Sequence, residues 1–224
     1  MNGNLDLSGT INGISILADA TNFTDSILIS QNASTGTLNA ATNNTGLGDT
    51  VFAALTSGDN NTSIGADSSK ALTSGGSNVA VGFAALEANT TASNNVAIGE
   101  NAMVVNTTGT QNVAVGQAAL DANSTASYNT AVGYSALGSN TTANHNTAIG
   151  KGALQANTTA NDNVAVGAYA LDNITTATTC SAFGYQALNN NTASNNAAFG
   201  STALSTNTKS LAVGIVTCKE LYVS

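Results

Sequence analysis

The 224-residue chain carries 7% charged and 4% aromatic residues, no proline or tryptophan, and a net charge of −8 from 12 acids against 4 lysines. Without arginine or a basic cluster it lacks the surface that grips nucleic-acid phosphates or anionic lipid, and no run of about 18 apolar residues is present to cross a bilayer. A regular solenoid fits better than a disordered chain, because 42% of the residues are hydrophobic and they recur at fixed intervals, whereas disordered chains combine low hydrophobicity with high charge.

Residues 1–43 contain "GNLDLSGTINGISI", which reads as short β-strands forming an attachment or capping segment. The opening Met1-Asn-Gly-Asn-Leu has neither the basic nor the apolar region of a secretory leader, so synthesis in a cytoplasm without export by that route is expected.

Residues 44–204 form the repeat domain. "NVAVG" at 78–82 returns as "NVAIG", "NVAVG", "NTAVG", "NTAIG" and "NVAVG", with its glycine at 82, 99, 116, 133, 150 and 167, steps of 17. The frame extends back to Gly48 and Gly65 and forward to Gly184, then slips to Gly200 and Gly214. Before each glycine, alternation along a strand sends neighbours to opposite faces. Ala80, Ala97, Ala114, Ala131, Ala148 and Ala165 share one face, and Val81, Ile98, Val115, Val132, Ile149 and Val166 the other. A strand apolar on both faces is expected to be buried on both.

After each glycine comes a second inward-facing segment, Ala85-Leu86 in one copy and Ala119-Leu120 in another. The rest is polar, with Asn89, Asn106, Asn123, Asn140 and Asn157 in one column and Asn78, Asn95, Asn112, Asn129, Asn146 and Asn163 in another. Asparagine suits turns, and stacked amides form ladders. Seventeen residues are too few for a helix pair or a propeller blade. They suit two short strands and two turns, one coil of a parallel β-solenoid. The expected fold is all-β, with about ten coils stacked about 4.8 Å apart.

Residues 205–224 read as a C-terminal cap. Cys180 and Cys218 match no metal or redox spacing. They are expected to be small buried thiols, a disulfide being the alternative.

An alanine-lined roll encloses little apolar area, and nothing else in the chain can cover its Val/Ile column. Another copy of the chain is the economical cover, in a closed symmetric assembly. That column is the candidate oligomer interface.

No catalytic constellation is legible, so an enzyme, a cofactor or a metal site is not expected. His145, the single histidine, falls in a variable turn column. Glu87, Asp121 and Asp172 share a column but stand two and three coils apart, roughly 10 and 15 Å, too far for a carboxylate pair. Phe83, Tyr134 and Tyr185 occupy an outward column three coils apart. They either fill grooves between chains or stack on a surface sugar.

"NVAVGFAAL", "NVAIGENAM" and "NTAVGYSAL" resemble the head repeats of YadA-like trimeric adhesins. The longer "NTAVGYSALGSNTTANHNTAIG" is similar to repeats of bacteriophage tail fibre proteins. The resemblance covers residues 44–204 and departs in period, 17 here against that family's shorter common unit. It implies a left-handed β-roll and a homotrimer. It also implies a structural virion protein, a tail fibre or appendage whose partners are other virion proteins and a host-surface glycan. Some such fibres end at a serine where a trimerising domain cuts itself off, as this chain ends at Ser224. Two alternatives are carried. One is a bacterial adhesin head at the cell surface. The other is an ice-binding solenoid, suggested by Thr-Thr pairs at 90–91, 107–108, 141–142 and 158–159.

Overall fold

The computed structural model describes residues 9–11, 14–20, 23–30 and 35–209. Strands β1 (Gly9–Ile11), β2 (Ile14–Ala20) and β3 (Phe23–Ser30) form an antiparallel meander. The next two, β4 (Ala41–Thr42) and β5 (Thr45–Leu47), both run parallel to β3. Then follow β6 (Thr62–Ile64), β7 (Val79–Val81), β8 (Val96–Ile98), β9 (Val113–Val115) and β10 (Thr130–Val132). The series ends with β11 (Thr147–Ile149), β12 (Val164–Val166), β13 (Ser181–Phe183) and β14 (Ala197–Phe199). From β5 to β14 each strand pairs in parallel with the next, and from β7 to β12 the register sets Ala on Ala and Val or Ile on its counterpart. The expected all-β parallel solenoid of about ten coils is the fold.

Each coil has one strand, not the two expected. The Ala-Leu segment is a ribbon of overlapping turns, closed in one coil by Ala136 N–H to Gly133 O, Gly138 N–H to Ser135 O and Asn140 N–H to Leu137 O. Its leucines are left-handed, with φ 53° at Leu86, 51° at Leu120 and 50° at Leu171, which rules out a strand there. A left-handed backbone costs an L-residue roughly 1–2 kcal/mol. Burying a leucine returns about 1.5–3 kcal/mol, and these side chains are fully buried, so packing wins. Neighbouring coils satisfy the ribbon's remaining donors, as Leu120 N–H does on Ala136 O and Ala118 N–H on Glu100 O.

The glycine that ends each strand has φ between 126° and 141°. A Cβ on Gly116 would lie 2.5 Å from the carbonyl oxygen of Gly133 in the next coil. Only glycine allows that approach at that backbone angle.

The interior is the alanine column of the strands, the Ala-Leu ribbon and two asparagine ladders. In the first ladder Asn112 Oδ1 accepts from the backbone N–H of Asn129 at 2.9 Å, and Asn112 Nδ2 donates to Ala126 O at 2.8 Å. The same pattern links Asn61, Asn78, Asn95, Asn129, Asn146 and Asn163. In the second, Asn140 Nδ2 donates to Asn123 Oδ1 and Asn123 Nδ2 to Asn106 Oδ1, both at 3.0 Å. Amides can occupy the core because those of the first ladder meet the next at the coil spacing; the second is continuous only from Asn106 to Asn140, and the buried Asn89 and Asn140 Oδ1 atoms accept no hydrogen bond.

Both ladders are interrupted in the same coil. Cys180 replaces asparagine in the first and Ile174 in the second, and both pack into the apolar core. Cys180 is a free, buried thiol, as expected, and burial pushes its pKa up. Cys218 lies outside the described residues.

The first coils trade volume between facing columns. Gly46 stands where later coils have alanine, and Phe52 where they have leucine; a Cβ on Gly46 would come 3.0 Å from the Phe52 ring. One coil on, Ser63 and Ser69 take the two places and bond to each other at 2.6 Å. Leu28 of β3 joins Ala41, Val51, Phe52, Leu55 and Leu72 in this local core. The meander thus extends the sheet past β5 and covers its first edge, which would otherwise expose unpaired backbone groups. Of the expected C-terminal cap, residues 210–224 lie outside the described residues.

Candidate functional site

Pleating turns the alanines of β7–β12 inward, where they are fully buried. The residues on either side of each alanine therefore face outward. Val81, Ile98, Val115, Val132, Ile149 and Val166 form one file, each opposite the next in register. Val79, Val96, Val113, Thr130, Thr147 and Val164 form a second file beside it. Within the chain only the alanine face is buried; the Val/Ile face is the one expected to need another copy of the chain as its cover. Within a single chain Ile98 is 38% exposed and Ile149 42%. The stripe ends on Phe183 and Phe199, stacked at 4.8 Å, with Phe199 72% exposed.

Phe83, Tyr134 and Tyr185 lie in the column just past the glycine and are about half exposed. Phe83 stands three coils from Tyr134. Tyr134 and Tyr185 belong to a cluster with two residues that sequence reasoning missed, Lys151 and Tyr169. Lys151 Nζ is 5.8 Å from the Tyr134 ring centroid and 5.7 Å from that of Tyr169. Tyr169 meets Tyr185 edge to face at 6.3 Å. The Tyr169 hydroxyl and then its charge, with Tyr134 behind, favour the ammonium and hold the Lys151 pKa up. The available signal was a departure from the repeat. The column two past the glycine reads Ala84, Asn101, Ala118, Ser135, Gly152, Tyr169 and Gln186, so one copy carries an aromatic directly after the one that carries glycine.

Other candidate groups fall on separate surfaces. His145 is exposed, as expected of a turn column, and stacks on Tyr128 at 4.9 Å. Glu87 joins Asp67 around Lys70, at 3.7 and 2.9 Å. Asp121 and Asp172 stand apart, each with its carboxyl pKa raised by burial. The Thr-Thr pairs split in function. Thr90, Thr107 and Thr141 donate their hydroxyls to backbone carbonyls of the next coil, while Thr91, Thr108 and Thr142 face solvent. Among the described residues no three His, Cys, Asp or Glu side chains gather around a common point. No protein-family model, curated protein or solved structure matches the chain.

Proposed function

We propose that this protein is a trimeric structural element of a virion, a tail fibre or appendage, that presents a recognition surface to the host. One observation carries the reading: a finished interior backed by an unfinished exterior. Inside, buried alanines and leucines, with asparagine ladders beside them, fill the coils from β7 to β12. Outside, a continuous β-branched stripe stays partly exposed, and monomeric soluble proteins rarely keep so extended an apolar patch. Parallel packing of three copies about an axis buries that stripe, and a symmetric closed assembly uses the same patch on every copy. The repeat's resemblance to trimeric adhesin heads and phage fibres supports the same arrangement. Hydrogen bonds between all neighbouring coils suit a stiff spacer.

Light scattering of the purified chain tests the assembly: a mass of three chains, unchanged by reductant, is expected, and a monomer overturns it. Gold-labelled antibody on lysates of producing cells tests the location. Label on phage particles supports the fibre, and label on the bacterial envelope would move the chain to the adhesin-head reading.

A further inference from the structure

We propose that Tyr134, Lys151, Tyr169 and Tyr185 form a binding site for an acidic saccharide. The inference deepens the recognition role proposed above and rests on it.

A repeat protein shows its special sites where it breaks its own rule. Three departures meet here. Tyr169 puts a bulky aromatic in a column that in the neighbouring coils holds small or amide side chains, on the left-handed backbone that the whole column shares, φ 59° here against 54° at Ala118 and Gln186. Gly152, in the same column one coil earlier, clears the space: a Cβ there would lie 2.8 Å from the Tyr169 ring. Lys151 places a cation between two tyrosine faces in a chain of net charge −8. Gly152 and Tyr169 exchange volume as Gly46 and Phe52 do, but here the aromatic meets the exposed Tyr185 ring instead of filling the core.

The chemistry selects the ligand. Exposed tyrosine rings offer an apolar face with a polar rim, which fits the C–H face of a pyranose. Lys70 is neutralised by Asp67 and Glu87, whereas Lys151 has no carboxylate partner among the described residues. The nearest acid of its own column, Glu100, is three coils away, about 14 Å. A sugar carboxylate would supply the missing counter-charge while its ring stacks on a tyrosine. The cluster also stays wet in the assembly. An ammonium without a carboxylate partner resists burial, so the Val/Ile stripe and not this column meets the neighbouring chain.

Calorimetric titration tests the site with two acidic probes, trigalacturonic acid and sialyllactose, and two neutral ones, maltotriose and lactose. At least one acidic probe should bind about tenfold more tightly than its neutral counterpart, and added salt should erode the difference. Lys151→Gln should abolish the preference. Tyr169→Asn, which keeps a residue tolerant of left-handed backbone, should weaken every sugar. Lys70→Gln should change nothing. Failure of both acidic probes to bind at millimolar concentration overturns the proposal, as does an acidic preference that survives in Lys151→Gln or sugar binding undiminished in Tyr169→Asn. Light scattering on the same samples separates the two readings: a trimer without saccharide binding removes the site alone, and a monomer that binds removes the trimer alone.

Discussion

A single atom decides the fate of each strand end. The Cβ that alanine would add to Gly116 meets the next coil's carbonyl at 2.5 Å, whereas at Gly200 the nearest heavy atom among the described residues is Ala203 Cβ at 4.0 Å. Both glycines have a left-handed φ, 138° and 126°. Gly200→Ala should therefore lose about 1–3 kcal/mol from backbone strain. Gly116→Ala should lose clearly more, because the stack must also open. Equal thermal midpoints for the two variants would refute the close-approach argument. A second residue-scale effect concerns pH. Burial raises the carboxyl pKa of Asp121, so the folded state favours the protonated form. Its contribution is most favourable below the unfolded pKa and is lost as pH rises through the folded one. Asp121→Asn should raise the thermal midpoint at pH about 7 and leave it unchanged in acid, below the carboxylate range. A midpoint that falls at neutral pH would show that the charge is welcome where it sits.

At the scale of the coil, the ladders turn a polar residue into core. Asn112→Ala removes the acceptor of the Asn129 N–H and a donor to Ala126 O. Leaving a buried donor unsatisfied costs about 1–3 kcal/mol, and chemical denaturation should show a loss of that size. Cys180→Ala, at the equivalent place in a coil where the ladder is already broken, should cost less. Asn191 Nδ2, which points at the Cys180 sulfur, keeps a second acceptor in Ala193 O. A larger loss for Cys180→Ala than for Asn112→Ala would mean that packing, not amide bonding, holds the column. The amide columns were legible in the sequence because asparagine recurs there at a fixed interval. The turn ribbon was not. Alternating left-handed residues leave no mark when the residues that adopt them are leucine and alanine, chosen for the volume they fill.

For the whole molecule the question is what covers the outer stripe. Val115→Glu combined with Val132→Glu places two charges on that stripe and leaves the alanine face untouched. If three copies pack there, sedimentation should show a single-chain mass with the far-ultraviolet dichroism of the roll retained. An unchanged mass would place the assembly contact elsewhere.

Period, alternation and column chemistry determined much from the sequence alone. They gave the solenoid, its coil number, the inward alanines and the amide ladders, because each depends only on which residues recur at one interval. The tertiary structure decided what depends on packing between columns. It replaced the second strand with turns, because buried leucine outweighs left-handed backbone. It let Gly46 and Phe52 exchange volume, and it matched the ladder breaks at Ile174 and Cys180 in one coil. It also brought Lys151 between Tyr134 and Tyr169, residues 17 and 18 positions away in the chain, because stacking makes neighbours of residues that the sequence keeps a coil apart.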